Sequence, residues 1–142
     1  MINPISPADV YVKDTGTIKG RGVFAGKAFS AGELVEACPV IVLLRPLDEL
    51  PPRIKTIVFS WGSLTNTAPS NALSLGYGSL YNHDNPANLR YEAVPDNEAL
   101  HYIAVRDIKK DEELTVNYNA GGGAPSSDND SWFKQRGIEL LT

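Results

Sequence analysis

Twelve glycines and ten prolines divide this 142-residue chain into short pieces. Glycine loses the most backbone freedom on folding, and proline removes a helix hydrogen bond, so long helices are disfavoured throughout. Between the breaks, apolar and polar residues alternate with the period of two that marks half-buried strands. The expectation is a mainly β fold with short helices. The clearest hairpin pairs residues 88–94 with 100–105. Leu89, Tyr91 and Ala93 oppose Arg90 and Glu92, Tyr102 and Ala104 oppose His101, Ile103 and Val105, and Pro95-Asp96-Asn97-Glu98 supplies the turn. A third strand over 113–118 sets Leu114, Val116 and Tyr118 against Glu113, Thr115 and Asn117.

Hydrophobic residues make up 42% of the chain and charged ones 21%, which suits one soluble domain with its own core. The lone Cys38 excludes an internal disulfide framework and a multi-cysteine zinc module. No apolar run reaches membrane-span length, and residues 1–10 lack the basic-then-apolar order of a secretory signal. A cytoplasmic protein is expected, with nuclear or exported roles left open. The net charge of −4 is the wrong sign for a direct nucleic-acid binder and suits a basic peptide partner, although it is also ordinary for solubility.

Residues 40–44 read as a buried strand closed by Arg45-Pro46. Residues 47–61 read as an irregular insert with a helical turn or two. Residues 65–71 and 121–130 read as loops, the second mobile, and residues 131–141 as a short helix packed back on the body. Phe29 to Val35 echoes Ile108 to Leu114: an apolar residue, a polar turn, then an acid leading into a strand. The echo reads as a recurring turn type rather than a repeat.

Three segments bear chemistry. Gly20, Gly22 and Ala25 fit a dinucleotide fingerprint in isolation, but a strand follows the glycines where that motif needs a helix. What survives is a turn at which backbone groups can closely approach a ligand, or simply a tight turn. Gly78 through Asn88 is dense in side chains that bond locally to backbone, and any single Asn or His there reads first as structural. A metal reading with His83, Asp84 and His101 has no ligand spacing behind it, and no serine or cysteine sits in a nucleophile elbow. The third segment runs from Ile108 to Tyr118, a polar turn and a strand ending in tyrosine, which by itself reads as a half-buried core residue.

In their order and spacing these segments resemble the SET-domain family of protein-lysine methyltransferases, in its small single-domain form. The motifs are glycine-x-glycine-Val-Phe, Asn-His with a second Asn six positions on, and acid-acid-Leu-Thr-x-x-Tyr some 30 residues later. The resemblance implies a β-clip-like fold of several small sheets with a C-terminal pseudo-knot. Residues 10–118 would form the catalytic core, 119–130 a mobile loop and 131–142 a C-terminal helical segment. At the knot the Asn-His stretch and the Leu-Thr-x-x-Tyr strand lie side by side. The implied cofactor is S-adenosylmethionine, held by Gly20, Arg21, Gly22, Asn82 and His83 largely through backbone groups. Asn82 would bond it directly, His83 would brace the loop, and Arg21 or Lys19 would meet its carboxylate. Trp132 or Phe133 would cover the adenine.

By the same resemblance, Tyr118 is the active-site tyrosine, beside both cofactor and substrate. Methyl transfer to a lysine amine is an in-line displacement, so alignment matters more than acid–base machinery. A phenol oxygen can orient the methyl by weak polar contacts, and an aromatic wall favours a cationic group. Tyr91 falls where relatives place a channel tyrosine. Tyr102 is a further channel candidate beside an ordinary core role, and Val116 contributes channel bulk. The partner implied is a lysine-containing protein or basic peptide; a homodimer is left open. Three departures stand out. The middle of the Asn-His run is altered, Glu36-Ala37 replaces a Glu-Tyr pair, and a three-cysteine zinc segment is absent. The alternative function is a non-catalytic module of the same fold that binds a basic peptide or the cofactor.

Overall fold

The computed structural model describes residues 3–119 and 123–128. Among the described residues, nine strands form two sheets. The first contains β1 (Val10–Asp14), β2 (Arg21–Ala25), β9 (Glu113–Val116) and β6 (Asn82–His83), in that spatial order. The second runs β4 (Val58–Phe59), β5 (Asn71–Ser74), β3 (Leu34–Leu43), β8 (Ala99–Ala104), β7 (Leu89–Val94). Two short helices, α1 (Pro52–Lys55) and α2 (Trp61–Thr65), occupy the insert between β3 and β5. Pro52 takes the first helical position, where its missing N–H has no partner to lose. Among the described residues, no helix is long and apolar enough to cross a membrane.

The sequence echo extends into a repeated plan. Phe29 and Ile108 exchange both backbone hydrogen bonds, so the two turns pack against each other. Gly32 and Asp111 both adopt positive φ, at 85° and 70°. Glu33 accepts from the Ser30 N–H as Glu112 accepts from the Lys109 N–H, and the pairs Lys27–Glu33 and Arg106–Glu112 correspond. The flanking hairpins share a register: Val10 faces Ala25 and Tyr11 faces Phe24, as Leu89 faces Ala104 and Arg90 faces Ile103. The third strands are exchanged between the halves, β9 pairing with β2 and β3 with β8. The turns are therefore elements of two like halves, each completed by a strand of the other, rather than an isolated turn type.

Burial follows the alternation at Leu89, Tyr91, Leu100, Tyr102 and Ala104, but Ile103, on the opposite face of β8, is buried as well and Ala93 only partly so. Fully burying such side chains stabilises by roughly 1.5–3 kcal/mol each. Two expectations need correction. The segment 40–44 is strand through Leu43 but only half-buried: Val40 and Val42 pack against the core, while Ile41 is 49% and Leu44 84% exposed, because β3 continues past β8 to pair with β5. The strand expected over 113–118 ends at Val116, where Asn117 and Tyr118 turn away to meet other partners.

Candidate active site

The loop joining β1 to β2 is closed by Thr15, whose N–H and hydroxyl both donate to the Gly20 carbonyl at 2.8 and 2.6 Å. Gly20 takes φ of 73°, a conformation costly for other residues. The strand that follows is tied to two distant segments. Lys19 Nζ donates to the His83 carbonyl at 2.9 Å. Asn82 Nδ2 donates to the Arg21 carbonyl at 3.1 Å and to Glu113 Oε2 at 2.7 Å. A Cβ on Gly22 would lie 2.6 Å from Glu113 Oε2 and 3.0 Å from Asn82 Nδ2, so these three strands meet only across a glycine. Gly22→Ala is expected to push the Glu113 carboxylate off Asn82 and to cost about 1 kcal/mol. Urea denaturation measures this; unchanged stability would contradict the packing.

Asn82 and His83 run parallel to Thr115 and Val116, and the Asp84 N–H continues the ladder to the Val116 carbonyl at 3.1 Å. Asn88 substitutes for a strand beyond them. Its Nδ2 donates to the Glu113 carbonyl at 2.8 Å and its Oδ1 accepts from the Thr115 N–H at 2.8 Å. The chain after Tyr118 returns over this loop. The Ala87 N–H donates to the Pro125 carbonyl at 2.8 Å, and Asn85 Nδ2 to the Ser127 carbonyl at 2.8 Å.

At this junction the Tyr118 N–H donates to His83 Nδ1 at 3.1 Å, and the Tyr118 hydroxyl donates to the Tyr81 carbonyl. Burial first, then the nearby Tyr91 phenol and Glu113, push the Tyr118 phenol above its ordinary value, so it stays neutral at physiological pH. Behind it the rings of Tyr81 and Tyr102 lie 4.9 Å apart, Tyr91 and Tyr102 6.0 Å, and Phe59 and Tyr91 5.0 Å. Beneath the rings sits Glu36, 6% exposed, accepting from the Tyr81 hydroxyl at 2.6 Å and the Tyr77 N–H at 3.0 Å.

Lys19, Gly20, Arg21, Gly22, Asn82, His83 and Tyr118 thus form one junction. Tyr91 is buried beside Tyr118. Tyr102 and Val116 have no exposed surface, and the Tyr102 hydroxyl is engaged with Ser74 Oγ at 3.1 Å. Trp132 and the expected helix over 131–142 lie outside the described residues. Sequence reasoning missed Glu113, Tyr81 and the burial of Glu36. The acid pair before Leu114 could have pointed to Glu113. Among the described residues no three His, Cys, Asp or Glu side chains gather in a metal-holding group, so His83, Asp84 and His101 do not converge.

The family model described as SET domain matches residues 20–119. A histone-lysine N-methyltransferase of Schizosaccharomyces pombe, specific for H3 lysine-37, is 30% identical over 115 residues, 81% of this chain and 76% of that protein. A Plasmodium falciparum chain assigned as a histone methyltransferase superposes with a TM-score of 0.63 at 24% identity, covering 81% of this chain and 96% of that one. The Chaetomium thermophilum Polycomb Repressive Complex 2 bound to S-adenosylmethionine gives 0.61 at 20% identity, covering 82% of this chain and 16% of that one. With the family's pattern spanning most of its length, and a relative this similar along most of both sequences, the chain belongs to the SET-domain family.

Proposed function

We propose that the protein is an S-adenosylmethionine-dependent protein-lysine N-methyltransferase whose reaction takes place beside Tyr118. The carrying observation is the junction itself: a half-buried phenol fixed through its own N–H and O–H to the Asn82-His83 stretch, inside a SET domain. The residues present suit the cofactor. Asn82 Oδ1 and the Arg21 guanidinium have no hydrogen-bond partner among the described residues, leaving an acceptor and a cation for a zwitterionic amino-acid moiety. Lys19, Gly20, Gly22 and His83 complete the cradle. When bound, S-adenosylmethionine supplies a methyl group carried on a positively charged sulfur.

The rest is the work of this chain. Tyr118 donates a hydrogen bond from its hydroxyl to the Tyr81 carbonyl, which polarises the phenol and makes its oxygen the better acceptor. That oxygen can hold a methyl or an amine in line through weak polar contacts. Tyr91 lines the approach, with the enclosed Tyr102 and Val116 behind it. These walls exclude water, which favours the uncharged amine that must attack. The substrate is a lysine-bearing protein, and the fission-yeast relative makes histone H3 the first to try. Incubation with methyl-labelled S-adenosylmethionine and histone H3 or a basic protein extract is expected to place label on lysine. Cofactor binding without label on any protein would overturn the reading.

His83 gives the site a pH signature. Burial first, then the Lys19 ammonium, hold its imidazole below the ordinary 6.5, against an opposing pull from Asp84. The neutral ring accepts the Tyr118 N–H. The folded state therefore holds this proton less tightly than the unfolded one. The resulting stability is complete above about pH 6.5 and is lost as pH falls through the folded value. Wild type should lose more stability than His83→Asn between about pH 7 and 5. Equal losses would show that His83 is not shielded.

A further inference from the structure

Glu36 is a buried carboxylate that the proposed chemistry does not use. A β-bulge puts it there: Leu34 faces Ile103 and Glu36 faces Tyr102, so two residues of β3 span one step of β8. Val35 and Glu36 are buried in succession as a result. One carboxylate oxygen accepts from the Tyr81 hydroxyl at 2.6 Å and the other from the Tyr77 N–H at 3.0 Å. The loop closes over it at Gly76, which has φ of 63° and where a Cβ would lie 2.6 Å from Glu36 Oε2. Tyr81 is fully enclosed, and its ring packs 4.9 Å from that of Tyr102.

Tyr81 has two ends with different tasks. Its hydroxyl is fixed by Glu36, and its backbone carbonyl receives the Tyr118 hydroxyl. It also precedes Asn82, whose amide ties Arg21 to Glu113. We infer that Glu36 is a positioning residue for methyl transfer: through the Tyr81 side chain it sets where the Tyr81 carbonyl stands, and so where the Tyr118 oxygen points. The inference rests on the reading of Tyr118 above. Burial first, then the charge of Glu36, push the Tyr81 phenol well above its ordinary value, so it remains a proton donor to the carboxylate at every working pH. A carboxylate that only filled space would need no phenol, and an enclosed one without donors would destabilise the fold.

Tyr81→Phe is the gentle test, since it keeps the ring packing and the backbone carbonyl. Steady-state kinetics should show kcat down by about tenfold with KM for the protein substrate near wild type, because misplacing a group by a fraction of an ångström costs rate before binding. Cofactor affinity by calorimetry should change little. Glu36→Gln keeps one acceptor and should recover part of the rate; Glu36→Leu should not. The ring resonance of Tyr118 in protein with 13C-labelled tyrosine should shift in Tyr81→Phe. That NMR measurement stands even if no substrate is methylated, in which case the methyltransferase reading fails alone. Wild-type kcat together with an unmoved Tyr118 resonance in Tyr81→Phe would overturn the inference.

Discussion

Tyr118→Phe should abolish most methyl transfer while leaving cofactor binding nearly intact. The substitution removes one oxygen. The ring still packs near His83, 5.4 Å away between centroids, and the backbone bond to His83 Nδ1 remains. What disappears is the only group of this side chain able to align a methyl or an amine by polar contact. Loss of alignment at a reacting centre costs about 100-fold in kcat. The Tyr81 carbonyl would lose its donor, a cost of about 1–3 kcal/mol in stability when it stays dry and less when water replaces the phenol. Label transfer under saturating cofactor checks this. A variant within about threefold of wild type would remove Tyr118 from the chemistry.

Asn82→Ala should act on the other side of the junction. Its amide holds Arg21 on β2 and Glu113 on β9 at once. Truncation leaves a part-buried carboxylate without that donor and frees the turn at Gly20 to Gly22. A loss of about 1–3 kcal/mol in stability is expected, and cofactor affinity should fall by at least about tenfold. Asn82→Asp is the sharper variant: it keeps the shape but sets a second carboxylate against Glu113, and should be less stable than Ala. Calorimetric titration with S-adenosylmethionine and denaturation of both variants separate the effects. Unchanged affinity in Asn82→Ala would place the cofactor elsewhere.

Much of this was legible in the sequence wherever a local signal matched the final surroundings. The hairpin of β7 and β8 declares itself because its core face, Leu89, Tyr91, Leu100, Tyr102 and Ala104, recurs with a period of two and Pro95 to Glu98 chooses the turn. Asn82, His83 and Tyr118 stood out through motif order. Their convergence rests on a parallel pairing between residues some thirty positions apart, which no local pattern encodes. Glu36 escaped because a bulge breaks the period of two, and a charged residue after Val35 reads as solvent-facing. Tyr81 escaped because it sits in a polar run, while its burial is set by β3 and the Gly76 loop. The repeated plan was visible only at its turns, because what recurs is strand register and backbone conformation, met by Gly32 in one half and Asp111 in the other.

The most direct measurement is a crystal structure with S-adenosylhomocysteine and a lysine peptide bound together. The expected arrangement has the cofactor sulfur against the Gly20 to Gly22 turn and Asn82, the lysine nitrogen aimed at that sulfur, and the Tyr118 oxygen within hydrogen-bond reach of their line of approach. A cofactor bound away from the Asn82 junction, or a lysine entering with Tyr118 shut behind other side chains, would contradict it.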